Sequence, residues 1–278
     1  MKAYFWLFVF FGVIHNGCMA QEHRTSGLLG NDVRLYQGSI AWDIAQAVRY
    51  QETRTIEKLM VGNPALARYQ EPRFGQSLLQ FAVTTHRYRA TKALVEGGAS
   101  VDQPNTYDGT TPLIEAAGIY ETSDYVKLLL EHNANPNLQS IPPDKERTPT
   151  TPLIEAVETR LENVKLLVEA GADINHVTPI GYMSAIRNSF VIRDLNILAY
   201  LLIEKKANYD IVLGVTLSGD TLRIANLLRD IVYPLDSKEY QQKMKLVEYL
   251  EAHGVDYRSA PIPKRYYGMY PKEFLDKY

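Results

Sequence analysis

Two carboxylates hold matched places in this chain. Glu115 lies in Thr111-Pro112-Leu113-Ile114-Glu115-Ala116, and the same six residues return as Thr151-Pro152-Leu153-Ile154-Glu155-Ala156. Two carboxyl groups that converge on one substrate can serve as general acid and base. Neighbouring helical repeats pack about 10 Å apart, however, which is wide for shared chemistry. Both glutamates also follow a Thr-Pro helix start, where the helix dipole favours a negative charge. They are expected to be solvated, dipole-facing groups.

The other reactive side chains are no better placed. The histidines are His15, His23, His86, His132, His176 and His253. His15 falls in an N-terminal leader. The rest show no i, i+4 pair and no nearby cysteine, so metal-site spacing is missing. There is no Gly-x-Ser-x-Gly elbow and no phosphate-cradling Gly-Lys-Ser/Thr loop. Cys18 is the only cysteine, so a disulfide is excluded. No catalytic residue, metal or cofactor is expected, and the chain reads as a non-enzyme.

The leader starts with Lys2 and an apolar run from Ala3 to Ile14. About 12 residues is too short for a spanning helix and right for the core of a signal peptide. Gly17-Cys18 resembles the bacterial lipoprotein signal, in which the cysteine is lipidated and becomes the first residue, although His15 stands where that family usually has Leu. Ordinary cleavage after Ala20 is the alternative. Residues 1–20 are thus the expected signal peptide. Residues 21–38, with Gly27, Gly30 and Gly38, read as a tether. Residues 39–257 form the repeat domain and 258–278 a capping tail. A net charge of -2 gives no overall basicity to attract nucleic acid.

The repeat sets the elements. Thr111 offers a capping hydroxyl, Pro112 suits the first helical position, and Ala116 and Ala117 allow close helix approach. A second apolar helix follows, and Asn133 suits a left-handed helix end. Asp108-Gly109-Thr110-Thr111-Pro112-Leu113 and Gly171-Ala172-Asp173-Ile174-Asn175 resemble the ankyrin repeat. That resemblance implies an all-α ankyrin-repeat solenoid with hairpin-like finger loops. Loop positions 64, 99, 134, 172, 207 and 255 give about six helix-turn-helix units with degenerate caps. Their spacing exceeds the family period of about 33 throughout. The fifth unit, at Met183-Ser184, is expected to have a looser turn, its Thr-Pro having become Met-Ser. Asp43, Gln46, Arg49 and Glu52 are expected to give the first cap its polarity, and 238–245 the last. The Pro-rich stretch 138–150 reads as a rigid protruding loop. The tail reads either as a binding strip or as a cap over the open end.

In ankyrin proteins the fingers and the ends of the first helices build a concave, protein-binding face. By that resemblance the partner-binding positions are Arg73, Phe74 and Gln76 in the second unit and Tyr107, Asp108, Thr110 and Ile119 in the third. The fourth adds Arg147, Thr148, Thr150, Glu158 and Thr159. The fifth adds Pro179, Tyr182 and Phe190. Export joined to such an array resembles the immunity lipoproteins that neutralise type VI secretion effectors of the phospholipase class. This implies one protein partner, a secreted phospholipase, and a periplasmic site anchored to the outer membrane through a lipid on Cys18. The alternative resemblance is to periplasmic ankyrin scaffolds of catalase-associated oxidative-stress defence.

Overall fold

The computed structural model describes residues 27–142, 144 and 148–278. The leader with Cys18, and Arg147 in the fourth finger, lie outside the described residues. Six helix pairs follow one another: Trp42–Tyr50 with Thr53–Gly62, Leu78–Thr84 with Tyr88–Glu96, Pro112–Ala117 with Asp124–Glu131, Pro152–Val157 with Leu161–Glu169, Ala185–Val191 with Leu195–Ala199, and Ile224–Arg229 with Lys238–Glu251. The fifth pair runs on through a π-helical turn at Tyr200–Glu204. The first members of the pairs pack side by side as an inner layer, and the second members form the outer layer.

A serine or threonine hydroxyl starts the second to fifth inner helices. Ser77 Oγ accepts the Gln80 N–H at 3.1 Å while Gln80 Oε1 accepts the Ser77 N–H, a reciprocal capping box. Thr111 and Thr151 cap the third and fourth units through Ile114 and Ile154, with proline at the first turn. Ser184 Oγ caps the fifth by accepting the Arg187 N–H at 3.1 Å. The expected looser turn there is therefore corrected. Ser184 takes the threonine position and Ala185 the proline position, so the cap is kept. Ala116, Ala117 and Ala156 are fully buried between the inner helices.

The loops that end the outer helices are tied from unit to unit. Asn133 and Gly171 turn the chain with φ of 63° and 89°. Beyond them the short polar side chains make a ladder. Asp102 Oδ1 accepts the Asn135 N–H at 2.9 Å, Asn137 Oδ1 the Asp173 N–H at 2.7 Å, and Asn175 Oδ1 the Asn208 N–H at 2.7 Å. These bonds satisfy backbone donors that would otherwise lack a partner, which is the physical use of the Asp/Asn repeats in these loops.

Both ends differ from expectation. The tether cannot extend to residue 38, because Val33–Tyr36 form a 3-10 turn whose Val33, Leu35 and Tyr36 enter the core. The Tyr36 hydroxyl lies 3.2 Å from Gln76 O and 3.1 Å from Ser77 O, joining this turn to the second unit. At the other end the tail folds back through Lys264–Gly268 and Lys272–Lys277. Tyr266 donates to Asp230 O at 2.9 Å and Tyr257 to Tyr278 O at 3.2 Å. Lys243, expected among the polar residues of the last cap, is instead 0% exposed. Its Nζ donates to Ile231 O at 3.1 Å and lies 3.5 Å from the Tyr278 ring centroid.

Candidate functional site: the finger row and the concave groove

Each finger is held by a side chain folded into its own turn. Glu71, buried, accepts the N–H groups of Arg73, Phe74 and Gln76 at 2.8, 2.8 and 3.1 Å. Asn105 Oδ1 does the same for Tyr107, Asp108 and Gly109 at 3.0, 2.9 and 3.1 Å. In the fourth finger Ser140 N–H donates to Thr150 O at 2.9 Å and Thr150 N–H to Ser140 Oγ at 2.8 Å. In the fifth, Thr178 Oγ1 accepts the Met183 N–H at 3.0 Å. The last finger is a two-stranded hairpin, Gly214–Val215 antiparallel to Thr221–Leu222. Sequence reasoning missed Glu71 and Asn105. Their signal was their shared place, 34 residues apart, just ahead of the finger tips.

Neighbouring fingers also touch. Thr106 N–H donates to Phe74 O at 3.0 Å, and the Phe74 and Tyr107 rings meet edge to face with centroids 5.4 Å apart. The Arg73 guanidinium lies 4.9 Å from the Phe74 centroid. Large apolar side chains still project from successive fingers. Tyr107 is 46% exposed, Ile141 79%, Tyr182 39%, and Leu217 at the hairpin tip is fully exposed.

Between fingers and inner helices lies a hollow of about 480 Å³, lined by Asp108 and Thr110 from a finger, Glu115 and Glu155 from inner helices, and Tyr120 and Glu121 from a helix turn. The two glutamates are not the solvated groups expected of them. Burial pushes both carboxyls above their ordinary range. For Glu115 the Thr110 hydroxyl, 2.9 Å away, opposes this, while Asp108 and Glu155 add to it. For Glu155, Glu158 and Asp108 add to it. Packed helices lie about 10 Å apart, too far for the two carboxyls to share a proton, yet Glu155 still adds to the rise at Glu115.

The structure sorts the expected binding positions. Arg73, Tyr107, Thr148, Glu158, Pro179 and Tyr182 are exposed, and Phe74, Asp108, Thr110, Thr150 and Thr159 are half-buried. Thr159 is already engaged, donating to Ala117 O at 2.8 Å across the unit boundary. Glu158 accepts from Asn188 Nδ2 at 3.0 Å. Gln76, Ile119 and Phe190 are corrections, for all three are buried. Gln76 Nε2 donates to Thr84 Oγ1 at 3.3 Å, and Ile119 and Phe190 belong to the continuous core. Among the described residues no group of three or more His, Cys, Asp or Glu is arranged to hold a metal. No helix among them is long and apolar enough to cross a membrane.

Residues 44–140 and 99–178 match the family model described as ankyrin repeats (3 copies). With the six helix pairs, this gives the fold of an ankyrin-repeat solenoid, and the matched residues take in the first four helix pairs. A search of curated proteins found no match. Ankyrin repeats are protein-binding scaffolds as a class, which is the coarse function this fold carries.

Proposed function

We propose that the chain binds one protein partner on its concave face, with the fingers as the contact rim. The observation that carries this reading is the row of large apolar side chains left in water at Tyr107, Ile141, Tyr182 and Leu217. Aromatic and large apolar groups on rigid supports are the types that become interface hot spots. Each sits on a finger whose turn is hydrogen-bonded shut, so little ordering cost remains on binding.

In its finer form the proposal is an exported immunity protein that neutralises a type VI secretion toxin of the phospholipase class in the periplasm. Its support is the apolar leader, the Gly17-Cys18 pair and the array downstream. A toxin that attacks lipid from the periplasmic side needs an exported antidote. A lipid on Cys18 would raise the antidote's local concentration at the membrane. Co-expression with a secreted lipase encoded beside the gene tests this directly. A nanomolar complex with lost lipase activity is the expected result. Deletion strains no more sensitive to sister-cell attack than their parent would contradict it. Cys18→Ala separates the anchoring step, since it should move the protein out of the membrane fraction.

A further inference from the structure

The groove between the fingers also shows what kind of partner it fits, granted that the concave face is the binding surface. Its floor is acidic. Asp108, Glu115 and Glu155 form no ion pair among the described residues, and the Glu121 carboxylate pairs there only with His86, at 4.0 Å. The hydrogen-bond donors of the floor are nearly spent. Thr110 Oγ1 lies 2.9 Å from both Asp108 Oδ1 and Glu115 Oε1, and a hydroxyl has one hydrogen to give. The Thr110 N–H serves Asp108 Oδ1 at 3.1 Å. Two carboxylates thus share one hydroxyl hydrogen and one amide hydrogen, in a half-buried place where like charges repel strongly.

Around this floor the surface is apolar. Tyr120 lines the hollow and is exposed, and Tyr107 and Ile141 stand on the fingers beside it. A second hollow, of about 410 Å³, lies at the N-terminal end and is lined by Arg34, Arg49 and Arg87. Two of these cations are engaged. Arg34 holds Asp32 through Nε at 3.0 and 3.1 Å, and Arg49 lies 5.4 Å from the Tyr50 centroid. Among the described residues, the charge left without an ion pair in the central hollow is negative.

We propose that the groove receives a protein segment presenting a lysine or arginine flanked by apolar side chains, the cation meeting Asp108, Glu115 and Glu155 and its neighbours resting on Tyr120, Tyr107 and Ile141. Burial is the main cause that raises the Glu115 and Glu155 carboxyls, and the like charges that add to it are what a bound cation would offset. Charge complementarity of this kind selects the partner and speeds encounter more than it adds affinity.

The test is a selection of random peptides, displayed on their encoding messenger RNA, against the intact chain. The most enriched peptide is then made with a fluorescein label, and its affinity is measured by polarisation. Enriched sequences should carry Lys or Arg beside Leu or an aromatic residue. Glu115→Gln/Glu155→Gln keeps shape and hydrogen bonding and should weaken binding about tenfold, with the wild-type affinity falling as salt rises. Neutral or acidic winners that lose binding to Tyr120→Ala/Tyr182→Ala would overturn the cationic partner and leave the concave face standing. No enrichment of cationic sequences, or equal binding to the Gln variant, would overturn it too. Winners indifferent to Tyr120→Ala/Tyr182→Ala would instead contradict the concave-face reading itself.

Discussion

Gly109 lies so close to Ile141 that a β-carbon on it would stand 2.8 Å from the Ile141 carbonyl oxygen and nearer still to its nitrogen. The contact is backbone against backbone, so no rotamer change can relieve it. One unit earlier a β-carbon on Gly75 would meet both the side chain and the backbone nitrogen of Thr106. These two contacts fix the spacing of the second, third and fourth fingers. They turn separate loops into one rim that carries the exposed tyrosines.

Gly109→Val should therefore push the third and fourth fingers apart and destabilise the array by about 2–4 kcal/mol, a positive φ of 74° adding to the overlap. Gly171→Val is the control, with a similar φ of 89° and open space around the position, and should cost about 1–2 kcal/mol. Urea unfolding of the two variants separates spacing from backbone strain. Equal losses would show that the Gly109–Ile141 approach has no role of its own.

Glu71→Ala removes one acceptor from three amides at once. Unsatisfied buried donors cost about 1–3 kcal/mol, and the loss should be local, because a solenoid's units are stabilised through nearest neighbours. Hydrogen exchange should speed up at the amides of Arg73, Phe74 and Gln76 and leave Ile154 unchanged. Protection retained at all three would mean that the finger is held by Thr106 and Tyr107 instead.

Helix starts were legible at Thr111 and Thr151 because capping is local chemistry, read within four residues. Ser184 does the same job, but it has neither the Thr nor the Pro that mark the other two, so its register could be fixed only by the helix it begins. Exposure on the inner helices was harder. One residue rotates a side chain by about 100°, so Ile119 and Phe190 fall inside while nearby Glu158 and Val191 fall outside. The burial of Glu115 depends on the finger folded above it, and that of Lys243 on a tail that returns more than twenty residues later. Neither is visible in a local window. The repeat itself was the plainest signal, and the groove floor the most dependent on tertiary structure.

Thr111→Ala and Thr151→Ala should each lower stability by about 1 kcal/mol, because Thr Oγ1 satisfies the Ile114 and Ile154 amides at 3.3 Å. Serine at either position should restore most of the loss. Thermal unfolding that Thr→Ala does not change would remove capping as the reason for the repeated Thr-Pro.

Lys243 makes stability depend on pH. Burial, helped by Arg229, lowers its amine from 10.5 to about 6 in the folded chain, while the Tyr278 ring beneath it works in the opposite direction. Between those two values the unfolded chain holds a proton that the folded chain does not, so stability should rise with pH from about 6 towards 10.5. Lys243→Met should flatten this dependence and gain about 1–3 kcal/mol near pH 6, where the buried charge is most costly. Unfolding at pH 6 and pH 9 measures both. A Met variant less stable than the parent at both pH values would show that the ammonium is welcome where it lies.

The concave face is tested most directly by placing the photo-crosslinker p-benzoylphenylalanine at Tyr107 or Tyr182 in cells that carry the native gene. Lys127, exposed on an outer helix, is the control position. Illumination should join both finger positions to one discrete protein and leave position 127 without that adduct. The same adduct from position 127 alone, or none from either finger, would contradict a partner bound on the concave face.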